Sequence, residues 1–145
     1  MINRRRLLLL RTFILLSGIR LGLALLPFQR LRQIVERLSH VSTYHQRSRG
    51  IPLPPRLIRQ IVWAVEKSAQ LTPGGAKCLA KALTTQVLMG RRGLSCDFKI
   101  GVAKSPEGQL EAHAWIEVNG QVIMGALPDL ERFTSLPTLD KPSIL

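Results

Sequence analysis

The apolar positions of this chain change period once: helical spacing runs up to the glycine at 93, and strict alternation takes over from Leu94. Residues 1–28 are a basic start followed by leucines, interrupted by Arg11 and Arg20, which at about 100° per residue point to nearly opposite sides of a helix. Residues 28–40 predict a cleaner amphipathic helix, with Leu31, Ile34, Val35 and Leu38 on one face and Arg30, Arg32, Glu36 and Arg37 elsewhere. Residues 41–55 are polar and then proline-rich, so they read as a connector. His40 and His45 lie in or beside it without metal-ligand partners and are expected to be solvated. Pro55 starts a third helix whose buried stripe is Leu57, Ile58, Ile61, Val62, Val65 and Ala69, with Trp63 at its edge. After the breaker cluster Pro73, Gly74 and Gly75, a fourth helix is marked by Leu79, Ala82, Leu83 and Val87 and stopped by Arg91, Arg92 and Gly93.

Alternation then puts Leu94, Cys96, Phe98, Ile100 and Val102 on one face of a half-buried strand. A turn at residues 105–108 leads to a second strand, with Ala112, Ala114, Ile116 and Val118 on one face and Glu111, His113, Trp115 and Glu117 on the other. Asn119-Gly120 closes a tight hairpin into residues 121–124. The expected fold class is α+β, helices followed by an antiparallel meander, with no internal repeat and no glycine-rich phosphate loop.

Length allows one modest core, so the expectation is a basic, leucine-rich helical region over residues 1–55 and a single globular domain over 56–145. The net charge of +12 suits nucleic acid, an anionic membrane surface or an acidic peptide. Few aromatics and no zinc-finger or RNA-recognition signature argue against nucleic acid. Two cysteines, Cys78 and Cys96, make no secreted disulfide framework, and a reducing cytoplasm fits them. Residues 1–28 lack a clean apolar run and a small-residue cleavage site, which disfavours a signal peptide. As a membrane span they would include Arg11 and Arg20, each costing roughly 2.5–3.5 kcal/mol near the centre. A helix packed on the domain, on a partner or peripherally at the inner face of the membrane is expected instead.

Candidate chemistry concentrates on Cys78 and His113. Cys78 falls in the first turn of its helix, where unpaired N–H groups and the macrodipole favour a thiolate; a small hydrophobe packed under a turn would show the same pattern. A histidine on a following strand could take the thiol proton and return it to a leaving group. Cys96 shares the inward strand face and reads as core. The phrase Ala112-His-Ala-Trp-Ile-Glu-Val-Asn-Gly120 resembles the histidine strand of transglutaminase-like cysteine enzymes.

Further segments narrow the resemblance: Trp63-Ala-Val65, Pro73-Gly-Gly-Ala-Lys-Cys-Leu-Ala-Lys-Ala-Leu83, Arg91-Arg-Gly-Leu94, Ile100-Gly-Val-Ala103 and Arg132-Phe-Thr-Ser-Leu136. Together, over residues 56–137, the chain resembles the stand-alone leader peptidases of lasso-peptide biosynthesis. That resemblance implies a papain-like, transglutaminase-type core and a cysteine peptidase that removes the leader from a ribosomally made precursor peptide. It implies Cys78 as nucleophile, His113 as general base, and no cofactor or metal. Its implied partners are the precursor peptide, a separate leader-recognition protein and a lasso cyclase, since residues 1–55 are too short and leucine-rich for a recognition module. A non-catalytic scaffold or a membrane-associated interaction protein of the same maturation complex is the alternative.

The family pattern also carries an aspartate about a dozen residues after the histidine, which orients the imidazole. Here the hairpin brings Gly125-Ala126 opposite His113, and no acid stands there. Asp129 is the nearest carboxylate downstream, beyond Pro128, and reaches back only if the strand ends early and the loop folds over. Glu117 lies two pleats away on the same strand, too far for a direct bond. A backbone carbonyl or an Asn would also serve.

Overall fold

The computed structural model describes residues 3–39 and 54–136, so His40, His45 and most of the expected connector lie outside the described residues. Helix α1 (Arg4–Leu25) is capped by Asn3, whose side chain accepts from the Arg5 N–H at 3.3 Å, and its first turn holds arginines where acids would suit the dipole. It buries Thr12, Leu16 and Ile19. Helix α2 (Phe28–Ser39) follows Pro27, whose carbonyl accepts from Arg30 and Leu31, and buries Leu31 and Val35. Ile34, assigned to that face by its spacing, stays 43% exposed. Helix α3 (Pro55–Leu71) has proline at its start, where the missing N–H costs nothing, and buries Ile61, Ala64, Val65, Ser68 and Ala69.

Helix α4 (Cys78–Arg91) is covered on nearly all sides, from Ala80 through Met89. Its two buried threonines remain compatible with a helix because each hydroxyl donates one turn back, Thr84 to the Ala80 carbonyl at 2.7 Å and Thr85 to that of Lys81 at 2.8 Å. Gly93, at φ 74°, ends it: the Leu94 N–H donates to the Met89 carbonyl and the Gly93 N–H to that of Gly90. This cap consumes residues 92–94, and strand β1 begins only at Asp97, three residues later than the alternation predicts.

The sheet is antiparallel throughout, in the order β3-β2-β1-β4. Strands β1 (Asp97–Lys104) and β2 (Leu110–Val118) pair with Gly101 opposite His113. Asn119 and Gly120, both at positive φ, turn the chain into β3 (Gln121–Met124). A 3-10 turn (Leu130–Arg132) then leads to β4 (Thr134–Ser135), which pairs with β1 on the far edge. Phe98, Ala114, Ile116, Val118 and Met124 share one core with α1, α2, α3 and α4. Leu16, Ile19, Leu31 and Val35 belong to that core too, so residues before and after position 55 are folded together.

The other face of the sheet is not the solvent face that alternation suggests. Trp115 is only 4% exposed, because the chain after β3 crosses back over it and brings Phe133 against Gly101. A Cβ on Gly101 would lie 2.8 Å from the Trp115 ring, so the indole lies where a β1 side chain would stand.

Candidate active site

Cys78 is the first residue of α4 and is half-buried, packed with Ala76 and Leu79 against the edge of the core. The preceding residue, Lys77, makes no side-chain cap, which leaves the first-turn N–H groups of α4 directed at whatever lies before the helix. The loop leading in is shaped by Gly74 and Gly75, at φ 78° and 73°, and by the Gly75 N–H donating to the Thr72 carbonyl. Arg20 of α1 donates to the Pro73 carbonyl at 3.5 Å, so the first helix helps hold the approach to the cysteine.

His113 lies mid-strand on β2, and its Nε2 is 2.7 Å from the Gly125 carbonyl. A carbonyl oxygen only accepts, so Nε2 carries the hydrogen and donates, and in the neutral ring Nδ1 is the free acceptor. The ring is held from the sides by Trp115, stacked at 6.1 Å and 17°, and by Phe133, tilted at 5.7 Å. Gly125 has φ 86°, and a Cβ there would lie 2.8 Å from the Ala114 carbonyl. Glycine is required at this position: any side chain would push away the carbonyl that holds His113.

Two charged groups brace this face. The Trp115 indole N–H donates to Glu117 at 2.8 Å, and Glu117 pairs with Lys99 at 3.5 Å. Arg132 donates to Glu111 at 2.7 Å, to Asp129 at 3.0 Å and to the Lys104 carbonyl at 3.3 Å, and covers the Phe133 ring at 4.8 Å. Its hydrogen bonds, first to Glu111 and then to Asp129, raise its pKa above the ordinary arginine value. The early end of β3 and the folded-back loop do occur, yet the Asp129 carboxylate is engaged by Arg132, and the group at the His113 Nε2 is the Gly125 carbonyl. Reading the residues missed Gly101 and Phe133; the available signal was the register of the β1–β2 hairpin, which sets a glycine opposite the histidine.

Cys78 and His113 are carried by the two layers of the fold. α4 packs against β2, on the sheet face that carries Ala114, Ile116 and Val118. Alternation turns His113 to the face shared with Trp115, and among the described hydrogen bonds none joins it to Cys78. Neither Cys78 nor Cys96 is in a disulfide. Among the described residues, no group of three or more His, Cys, Asp or Glu could hold a metal ion.

The description of the transglutaminase-like superfamily matches residues 22–138 of this chain, a stretch that includes α2, α3, α4, the whole sheet and both candidate residues. No curated protein and no solved structure matches it. With most of its length inside that match and an α+β architecture to go with it, the chain belongs to the transglutaminase-like superfamily.

Proposed function

We propose that this protein is a cysteine peptidase that removes the leader from a ribosomally synthesised lasso precursor peptide, so that a separate cyclase can close the ring on the freed amine. The observation that carries the enzymatic part is the 2.7 Å bond from His113 Nε2 to the Gly125 carbonyl, which leaves Nδ1 as the base. In this reading Cys78 Sγ attacks the scissile carbonyl while its proton passes to His113 Nδ1. The tetrahedral intermediate expels the amine, which takes that proton, and a thioester remains on Cys78. Water then attacks the thioester, gives its proton to Nδ1, and releases Cys78. The first-turn N–H groups of α4 are suited to stabilise the oxyanion. Gly125 orients the ring in place of a carboxylate, and the Arg132 cluster supports the loop that delivers it.

The leader-peptidase specificity rests on the matching segments around Cys78, His113 and Arg132. A separate leader-recognition protein is part of the proposal, as is a cytoplasmic site of action. The test is cleavage of the precursor peptide with and without that recognition protein, followed by mass spectrometry. Wild type should release leader, faster with the recognition protein, and Cys78→Ala should release none. Retained cleavage by Cys78→Ala would remove Cys78 from the mechanism. A second reading, a non-catalytic scaffold of the same complex, is favoured by the carbonyl that stands at His113 instead of a carboxylate. Wild-type protein that supports maturation without cleaving any precursor would select it.

A further inference from the structure

Helix α1 has two apolar sides, and the fold uses only one. Thr12, Leu16 and Ile19 are buried against the rest of the protein. On nearly the opposite side, Leu7, Leu10, Ile14, Leu21 and Leu25 fall within an arc of about 60° at 100° per residue, spread over about 27 Å of helix. All five are exposed, Ile14 by 63% and Leu25 by 72%. Exposed arginines flank this stripe: Arg4 and Arg11 about 60–80° to one side, Arg6 about 80° to the other. Beyond Arg4 opens a cleft of about 810 Å³ in which Arg4 and Arg5 of α1 meet Arg56 and Arg59 of α3 and Arg92 after α4, with the exposed Trp63. Among the described residues no carboxylate lines it.

By length and composition α1 could cross a membrane. Doing so would pull Leu16 and Ile19 out of the core they share with α3 and α4 and carry Arg11 and Arg20 into hydrocarbon. Lying in the plane of the surface instead keeps the core and uses both the stripe and its arginines. A second copy of the chain would meet the stripe with the same flanking arginines, and like charges would face each other.

We propose that the protein docks on an anionic phospholipid surface, with the outer stripe of α1 at the level of the acyl boundary and the arginines, those of the cleft included, on lipid phosphates. Trp63 at the cleft rim suits the headgroup region. The proposal is independent of the chemistry at Cys78, so Cys78→Ala must dock like wild type.

The experiment is flotation of the full-length protein with vesicles of phosphatidylcholine alone, or mixed with phosphatidylglycerol, at about 0.1 M and 1 M salt. Wild type should float with the mixed vesicles at low salt, be largely released at high salt, and stay off neutral ones. Ile14→Glu combined with Leu21→Glu should lower partition at least about tenfold with unchanged melting, since both side chains already face water. Arg56→Glu combined with Arg59→Glu should weaken it by several-fold. Absence of binding to anionic vesicles would overturn the proposal. So would attachment that resists high salt and alkaline extraction, which would mean a span. Stripe variants that float like wild type but lose a dimer in sedimentation velocity would make the stripe a self-association face, and an acidic peptide that binds the cleft while vesicles do not would make it a peptide site.

Discussion

At the scale of single residues, the site depends on a group with no side-chain signature. Cys78 and His113 stand out by residue type and position, and the missing acid opposite His113 is equally visible in the sequence. The hairpin register already sets Gly125 opposite His113 and leaves room for a backbone carbonyl; the structure adds that it is the Gly125 carbonyl, presented where β3 ends at Met124 and the chain turns at positive φ. Asp129 offered the right chemistry at the wrong place, held in the fork of Arg132. In the cleavage assay, His113→Ala should therefore lose about 10²–10⁴ in kcat, and Asp129→Asn should stay within a few-fold of wild type. Gly125→Ala separates orientation from bulk packing. A side chain at φ 86° and 2.8 Å from the Ala114 carbonyl should cost about 1–2 kcal/mol of stability and displace the carbonyl, so kcat should fall in protein still folded at the assay temperature. Unchanged kcat in folded Gly125→Ala would remove the carbonyl from the mechanism.

At the scale of elements, the periodicities predicted four helices and the Asn119-Gly120 hairpin, because a helix or a hairpin writes its burial into its own residues. What failed was what depends on distant chain. Alternation shows that β2 has two faces and does not show that the chain after β3 covers the one carrying Trp115, which is buried. A two-residue strand such as β4 carries no periodic signal at all. The start of β1 shifted because the α4 cap claims Leu94 through its bond to Met89. Gly101→Ala tests the covered face directly. Its Cβ would sit 2.8 Å from the Trp115 ring and 3.0 Å from Phe133, rigid neighbours that cannot swing away, so a loss of about 1–3 kcal/mol is expected in chemical denaturation. A loss below about 0.5 kcal/mol would mean that Trp115 and Phe133 leave room there.

At the scale of the whole molecule, the composition shift near residue 55 suggests a separate N-terminal region, yet the core runs through it. Leu16 is fully buried in the same cluster as Ile61, Leu83 and Ile116. Leu16→Ala should accordingly destabilise the entire fold by about 2–5 kcal/mol in a single cooperative transition. A local effect with the remaining domain melting as before would show that α1 is an appendage. The same helix turns its other side outward and carries much of the positive charge, which is why its composition alone reads as a segment apart.

The central claim, that His113 activates Cys78, is tested most directly without any substrate. The measurement is the rate at which iodoacetamide labels each cysteine near neutral pH, followed by peptide mass spectrometry in wild type and in His113→Ala. Cys78 should be labelled at least about tenfold faster than Cys96, and His113→Ala should remove most of that difference while leaving Cys96 unchanged. Equal labelling of the two cysteines, or a fast Cys78 that is indifferent to His113, would contradict it.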